Sequence, residues 1–348
     1  MPSTISQPGT SRSAGLDIIT EMNHSRTLIK PLCTLGITSN EESYEVAKET
    51  FEKSFIPLVI WQEDNTRWKE KFIAKIKYIS RLSENYLPIN INKVDTVIMA
   101  TVDDEFMALD TLPIDWQDFK INNDPLIYAK AVIKTANNCE RTILKVKLPE
   151  MGMSAASHVT TKLIQLFEPD SLVMIGICGG KKDEVNLGDI IVAEKTWDYG
   201  SGKIKTDDEG NIHFAALPNK INIDAQLKSE IIRNAKIIDE ISEKWNCEHN
   251  DNKKSEIKTG VITTGSAVVA NKEIIEKIIM PQYRKFLGID METYGVYFAC
   301  KNYGYPLKYV SIKAVSDFAD YQKNDSYHEY CSYVSANFAF KLIDLGVL

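Results

Sequence analysis

A mostly parallel or mixed, twisted central sheet flanked by helices, with a small α/β extension at its N-terminus, is the fold this sequence predicts. Three observations lead there. Short, almost wholly apolar runs recur from Val94 onward, as in strands buried on both faces of a sheet. Segments with helical spacing of apolar residues alternate with them. Four of the runs end abruptly in carboxylates or glycines, where ligands bind in open α/β sheets.

With 348 residues the chain is long enough for one large α/β domain and an addition. A net charge of −7 argues against a nucleic-acid binder, which carries a basic stripe. No apolar run approaches the roughly 20 residues of a membrane helix. The six cysteines (Cys33, Cys139, Cys178, Cys247, Cys300, Cys331) are scattered, with neither a C-x-x-C pair nor a histidine at metal-ligand spacing. A reduced, cytoplasmic protein without a metal is the simplest account.

Residues 1–25 read as a disordered leader; the opening MPSTISQPGTSRSAG has no apolar core to serve as a secretory signal. Residues 26–92 read as an accessory or regulatory segment. It has strand-like runs, TLIKPLCTLGI and FIPLVIW, and a helix over NTRWKEKFIAKIKYISRL with Trp68, Phe72, Ile76 and Ile79 on one face. Residues 93–348 form the main domain. Its strands are VDTVIMATV, ERTILKVKL, SLVMIGI, LGDIIVAEKTW, IKTGVITTG, FLGIDME and YVSIKAV. EMGMSAASHVTTKLIQLF is a helix with Val159, Leu163 and Leu166 on one face and Ser154 as its cap. IDAQLKSEIIRNAKIIDEISEKW reads as one long helix. The last helix, SYHEYCSYVSANFAFKLIDLG, carries Tyr330, Val334, Phe338, Leu342 and Leu345 at helical spacing.

Four strand ends converge on possible chemistry: ATVDDEF, GICGG, DMETYG and SDFAD. Three of them supply carboxylates: Asp103, Asp104 and Glu105; Asp290 and Glu292; Asp317 and Asp320. Such groups serve as a metal site, as acid and base, or as anchors for sugar hydroxyls; the metal reading is weakened because no histidine accompanies them, though magnesium would not need one. Asp317, leaving an apolar strand just before Phe318, is the carboxyl best placed to be held protonated. GICGG fits neither the dinucleotide fingerprint nor the Walker pattern.

Taken in order, these segments resemble the purine nucleoside phosphorylase and nucleosidase superfamily, particularly its 5′-methylthioadenosine/S-adenosylhomocysteine nucleosidase branch. The residues that carry the resemblance are VIMATVDDEFMAL (97–109), MGMSAA (151–156), MIGICGGKKDEVNLGDIIVAE (174–194), TTGSAVVAN (263–271), LGIDMETYGVYFAC (287–300) and AVSDFAD (314–320). WDYGSGK (197–203) and RKFLGIDMETYGVYFA (284–299) look closer to a bacterial subgroup that acts in antiviral defence and cleaves adenine nucleotides, including ATP.

The resemblance implies roles. Asp317 protonates the leaving purine and Glu105 activates the attacking water. Glu292 holds the ribose hydroxyls, with Met291 against the sugar. Ser316, Phe318, Val268, Cys178 and Gly179 surround the base. Val268 stands where the nucleosidases offer a stacking aromatic, which leaves Phe318, Trp197 and Tyr294 as unranked substitutes. Phosphorylases place Arg and Ser around the glycine turn to hold phosphate. Met174 and Ile177 stand there in this chain, and an apolar pair does not offset the desolvation of an anion. Lys181, Lys182, Lys203, Lys205, Arg284 and His158 are the candidates for substrate phosphates.

The expected activity is therefore hydrolysis of the N-glycosidic bond of an adenine nucleotide or nucleoside, an ATP-type substrate favoured, without a cofactor. Methylthioadenosine/S-adenosylhomocysteine nucleosidase, purine nucleoside phosphorylase and a non-catalytic nucleotide-sensing module are the alternatives. A homo-oligomer is expected, binding neither nucleic acid nor membrane, with the N-terminal segment as the place for a regulatory protein partner.

Overall fold

In the computed structural model the chain divides into two units, residues 1–89 and 90–348. The residues described are 14–24, 34–61, 68–70, 72–74, 76–77, 93–269, 271–319 and 325–348. In the first unit, Ala14–His24 form helix α1, so the expectation of a disordered leader fails there. Leu16 and the fully buried Ile19 give this segment an apolar stripe, and Asp17 lies in the first turn, where the helix dipole favours it. Residues 1–13 lie outside the described residues. Strand β1 (Gly36–Thr38) and strand β2 (Leu58–Ile60) pair in parallel across helix α2 (Glu41–Lys53). Asn40 caps α2, its side chain accepting from Ser43 N at 3.0 Å. The described residues between 68 and 77 are helical, but Phe72 and Ile76 are exposed rather than on a buried face. Ile79 lies outside the described residues.

The second unit holds a mixed sheet. Its strands are β3 (Thr96–Ala100), β4 (Gln117–Phe119), β5 (Ile127–Lys134), β6 (Glu140–Lys147), β7 (Ser171–Gly180), β8 (Ile190–Asp198), β11 (Ile221–Asn222), β12 (Ile257–Thr264), β13 (Phe286–Asp290) and β14 (Lys308–Asp317). A separate hairpin, β9 (Gly202–Thr206) and β10 (Ile212–Ala216), follows β8. The order runs β11-β8-β12-β13-β7-β3-β6-β5-β4. Strand β14 pairs in parallel with β7 and antiparallel with β8. The strands β7, β14, β8, β12 and β13 thereby close into a ring.

Every residue of β3 is buried, as its unbroken apolar run requires. Helix α3 (Asp103–Ala108) follows it, and helix α4 (Met153–Phe167) buries Val159 and Leu163 with Leu166 half-buried. Gly152, not Ser154, is the cap of α4, because φ +115 suits glycine. The segment expected as one long helix is two, α5 (Ala225–Arg233) and α6 (Ile237–His249). Asn234 breaks it: its side chain donates to Glu230 O at 2.9 Å and turns the chain. Helix α7 (Thr293–Asn302) and helix α8 (His328–Asp344) complete the unit. Tyr330, Val334, Phe338 and Leu342 of α8 are wholly buried, whereas Leu345 lies beyond the helix and is exposed. Among the described residues no helix is long and apolar enough to cross a membrane.

Candidate active site

A cavity of about 370 Å³ opens at the carboxyl ends of β3, β7, β13 and β14, within the usual ligand-pocket range of about 300–1,000 Å³. The structure brings together there Glu105, Cys178, Gly179, Val268, Met291, Glu292, Ser316 and Asp317. Thr101, Asp104, Met151, Ile177 and His328 also line it.

Glu105 arrives on the first turn of α3, directly after β3. It is 2% exposed, and its carboxylate is held by backbone. Oε2 accepts from Thr101 N at 2.7 Å and Val102 N at 3.2 Å; Oε1 accepts from Ile177 N at 2.9 Å. This seat exists because β7 carries glycine at position 176, with φ +140 and no side chain under the carboxylate.

Glu292 follows β13 as the residue before α7. Its Oε1 accepts from Gly152 N at 3.0 Å. Burial pushes its carboxyl above the ordinary range; Lys313 opposes that, and Asp290 and Glu105 add to it. Asp290 has a structural task, since its carboxylate accepts from Thr264 Oγ1 at 2.7 Å and from both N and Oγ1 of Thr293.

Lys313, absent from the sequence-based candidates, lies beneath these groups at 1% exposure. Its Nζ is 3.5 Å from Glu292 Oε2 and 4.0 Å from Asp290 Oδ2. Burial alone would push the ammonium down, but Glu105, Glu292 and Asp290 outweigh it and hold its pKa above the ordinary value. The sequence signal was a lone lysine inside the apolar run YVSIKAV.

Asp317 ends β14, where the register against β7 slips between Val315 and Asp317. The extra residue, Ser316, re-aims the strand end. Asp317 Oδ1 accepts from Ala319 N at 2.7 Å, and Oδ2 lies 3.2 Å from Ser316 Oγ. Ala319 holds φ +54, an unusual value for a residue with a Cβ. Burial pushes the neighbouring Cys178 thiol well up, which makes it a buried wall rather than a nucleophile.

Other sequence candidates lie elsewhere. Trp197 is wholly buried in a second core, donating to Gln282 Oε1 at 2.9 Å, so it offers no face to a base. Phe318 packs on the main core, and Tyr294 tilts against Phe298; neither lines the cavity. None of Lys181, Lys182, Lys203, Lys205, Arg284 and His158 lines it either. Lys181 is held by Arg284 O at 2.7 Å and Glu184 at 3.2 Å; the others are exposed. Asp103 pairs with Lys147 outside the cavity. Asp320 lies outside the described residues. Among the described residues no group of three or more His, Cys, Asp or Glu side chains is arranged to hold a metal.

Among the described residues the lining therefore carries five carboxylate side chains (Asp104, Glu105, Asp290, Glu292 and Asp317), one imidazole and a mostly apolar remainder. Such a cavity suits a flat, largely neutral ligand in which positive charge develops beside the carboxylates.

Residues 126–345 match the family model described as "Phosphorylase superfamily". An uncharacterized protein of Sinorhizobium fredii, y4jS, is 31% identical over 349 residues, covering 96% of this chain and 83% of that protein. The ATP nucleosidase Cap17 of Escherichia coli is 28% identical over 198 residues, 53% of this chain and 38% of Cap17. The 5′-methylthioadenosine/S-adenosylhomocysteine nucleosidase of Buchnera aphidicola is 28% identical over 173 residues, 50% of this chain and 66% of that enzyme. The chain thus spans less than two thirds of the length of these two named enzymes. In fold it is similar to the Neisseria meningitidis 5′-methylthioadenosine/S-adenosylhomocysteine nucleosidase in complex with methylthio-immucillin-A, with a TM-score of 0.56 at 15% identity over 72% of this chain and 99% of that one. It is also similar to the futalosine hydrolase of Helicobacter pylori, with a TM-score of 0.53 at 19% identity over 72% of this chain and 98% of that one.

Proposed function

Because the chain belongs to the phosphorylase superfamily, we propose that its cavity hydrolyses the N-glycosidic bond of an adenine nucleoside or nucleotide. One observation carries the reading: Glu105 and Asp317 line the same cavity, anchored two residues apart along β7, at Ile177 and Gly179. Cleaving a bond between ribose and purine passes through an oxocarbenium-like transition state, with positive charge on the sugar and negative charge on the base. Asp317 supplies the proton to the base. Glu105 takes a proton from water, and its anion with Glu292 faces the sugar charge. Met291 packs against the ribose.

Water is the nucleophile in this reading. The backbone N–H of Ile177 is already occupied by Glu105, and Met174 is buried in the core, so neither is available to inorganic phosphate. Among the described residues no lysine or arginine is part of the lining, which favours the nucleoside part of the substrate.

A second reading, hydrolysis of ATP itself as in antiviral defence, is favoured by the likeness to Cap17. It needs cations from outside the described lining. A second copy of the chain is our proposed source, in a homo-oligomer, with the N-terminal unit as the site of regulation.

The test is chromatography of reactions with ATP, AMP, adenosine and methylthioadenosine, each with and without phosphate. Free adenine without phosphate is the expected result. Adenine released only when phosphate is present would replace hydrolysis by phosphorolysis, and release from ATP alone would favour the second reading.

A further inference from the structure

The floor and the mouth of the cavity differ in character. Glu105 and Glu292 are 2% and 5% exposed, and Asp317 is half-buried, so the carboxylates assigned to ribose and base lie at the floor. The exposed lining residues, which form the mouth, are Asp104, Met151, Ala267 and Val268 among those described. Three of these are apolar and Asp104 alone is charged. Its neighbour Asp103 pairs with Lys147, whereas the Asp104 carboxylate has neither a hydrogen bond nor an ion pair among the described residues. The dipole of α3 favours a carboxylate in its first turn. That helix is six residues long and already carries Asp103 and Glu105 there, so the dipole does not call for a third.

We propose that Asp104 is a specificity-determining residue that excludes 5′-phosphorylated nucleosides by charge. The inference rests on the nucleosidase reading above. With the base at Asp317 and C1′ at Glu105, C5′ is the ribose carbon that carries the variable substituent, and that substituent leaves by the mouth. A 5′-phosphate is close to a dianion above pH 7, its second pKa being about 6. At the mouth it meets an unpaired carboxylate, and no lysine or arginine of the described lining offsets either charge. The lining side chain that can carry positive charge is His328, which is half-buried rather than exposed. A hydroxyl or a thioether on C5′ is neutral and meets no such barrier. Discrimination of this kind works by repelling the wrong substrate, and one fixed charge supplies it.

The test compares kcat/KM for AMP with that for adenosine or methylthioadenosine, whichever turns over faster. The ratio is measured at pH 8 and low salt in the parent, Asp104→Asn and Asp104→Lys. Any effect of residue 104 on the charge developing at C1′ is common to both substrates, so the ratio isolates the phosphate. One unit of charge about 8 Å from a dianion in water changes affinity about fivefold. The ratio should therefore rise about fivefold in Asp104→Asn and about 25-fold in Asp104→Lys. Both gains should shrink in about 1 M salt, where exposed charges are screened. A ratio that stays within about twofold of the parent in both variants would overturn the proposal, because Asp104 would then serve only its helix. A rise in Asp104→Asn with none further in Asp104→Lys would overturn it too, since shape rather than charge would be at work. So would a parent that prefers AMP or ATP to either nucleoside. Those three results remove this inference and leave the nucleosidase reading standing. A parent that releases adenine from no substrate removes both.

Discussion

Glu105 and Gly176 share one volume: a Cβ on Gly176 would fall 2.9 Å from Glu105 Oε2 and closer still to Oε1. Gly176 also holds φ +140, which a side chain disfavours. The Gly176→Ala variant should lose at least about 2 kcal/mol of stability, from backbone strain of about 1–3 kcal/mol and the displaced carboxylate. Adenine release should fall with it. Urea unfolding and a turnover assay on the same preparation check both.

Replacing Asp317 by Asn removes the proposed proton donor but keeps its shape. Turnover should fall by about 10²–10⁴, the range for a general acid. Binding of adenosine, measured by calorimetry, should persist. A variant that still turns over would move the acid elsewhere.

Lys313 balances a buried group of carboxylates, so Lys313→Met leaves them uncompensated. A loss of about 3–5 kcal/mol is expected. The pH dependence has a definite sign. The folded-state pKa lies above the ordinary 10.5, so the lysine's contribution is full below that value and is lost as pH rises through the higher folded value. The stability gap between parent and variant should stay constant up to about 10.5 and narrow above it. Urea midpoints across that range would show the trend.

All the described cavity-lining residues lie in the second unit. A chain beginning at Asn90 should therefore still release adenine. A rate different from that of the full chain would mark the N-terminal unit as a regulator, and an identical rate would remove that role.

The strands that deliver the site were legible because burial on both faces forces unbroken apolar runs, as in β3, β7 and β14. Their ends could be read for the same reason: Glu105, Glu292 and Asp317 interrupt those runs. Lys313 was missed because its partners come from β13 and α3, far away in sequence. Strand β5, IYAKAVIK, escaped because its buried Tyr128, Ala129 and Ala131 follow no strict alternation. The phosphate candidates stand close to the motifs along the chain, and closeness in sequence does not bring a side chain to the cavity. Lys181 follows Gly180 directly, yet its ammonium is used on Arg284 O, and Trp197 borders a motif but serves a core.

The slip at Ser316 makes β7 a common ruler for the proposed reaction. The Glu105 carboxylate is tied to Ile177 and the backbone of Asp317 is in register with Gly179, a spacing of roughly 6.6 Å along an extended strand. In the proposed hydrolysis both ends of the scissile bond are thus gauged against one strand of a closed ring. Sequence drift in the surrounding loops can alter what enters the cavity while the span between acid and base stays fixed. A family built this way can diversify its substrates without recalibrating its chemistry.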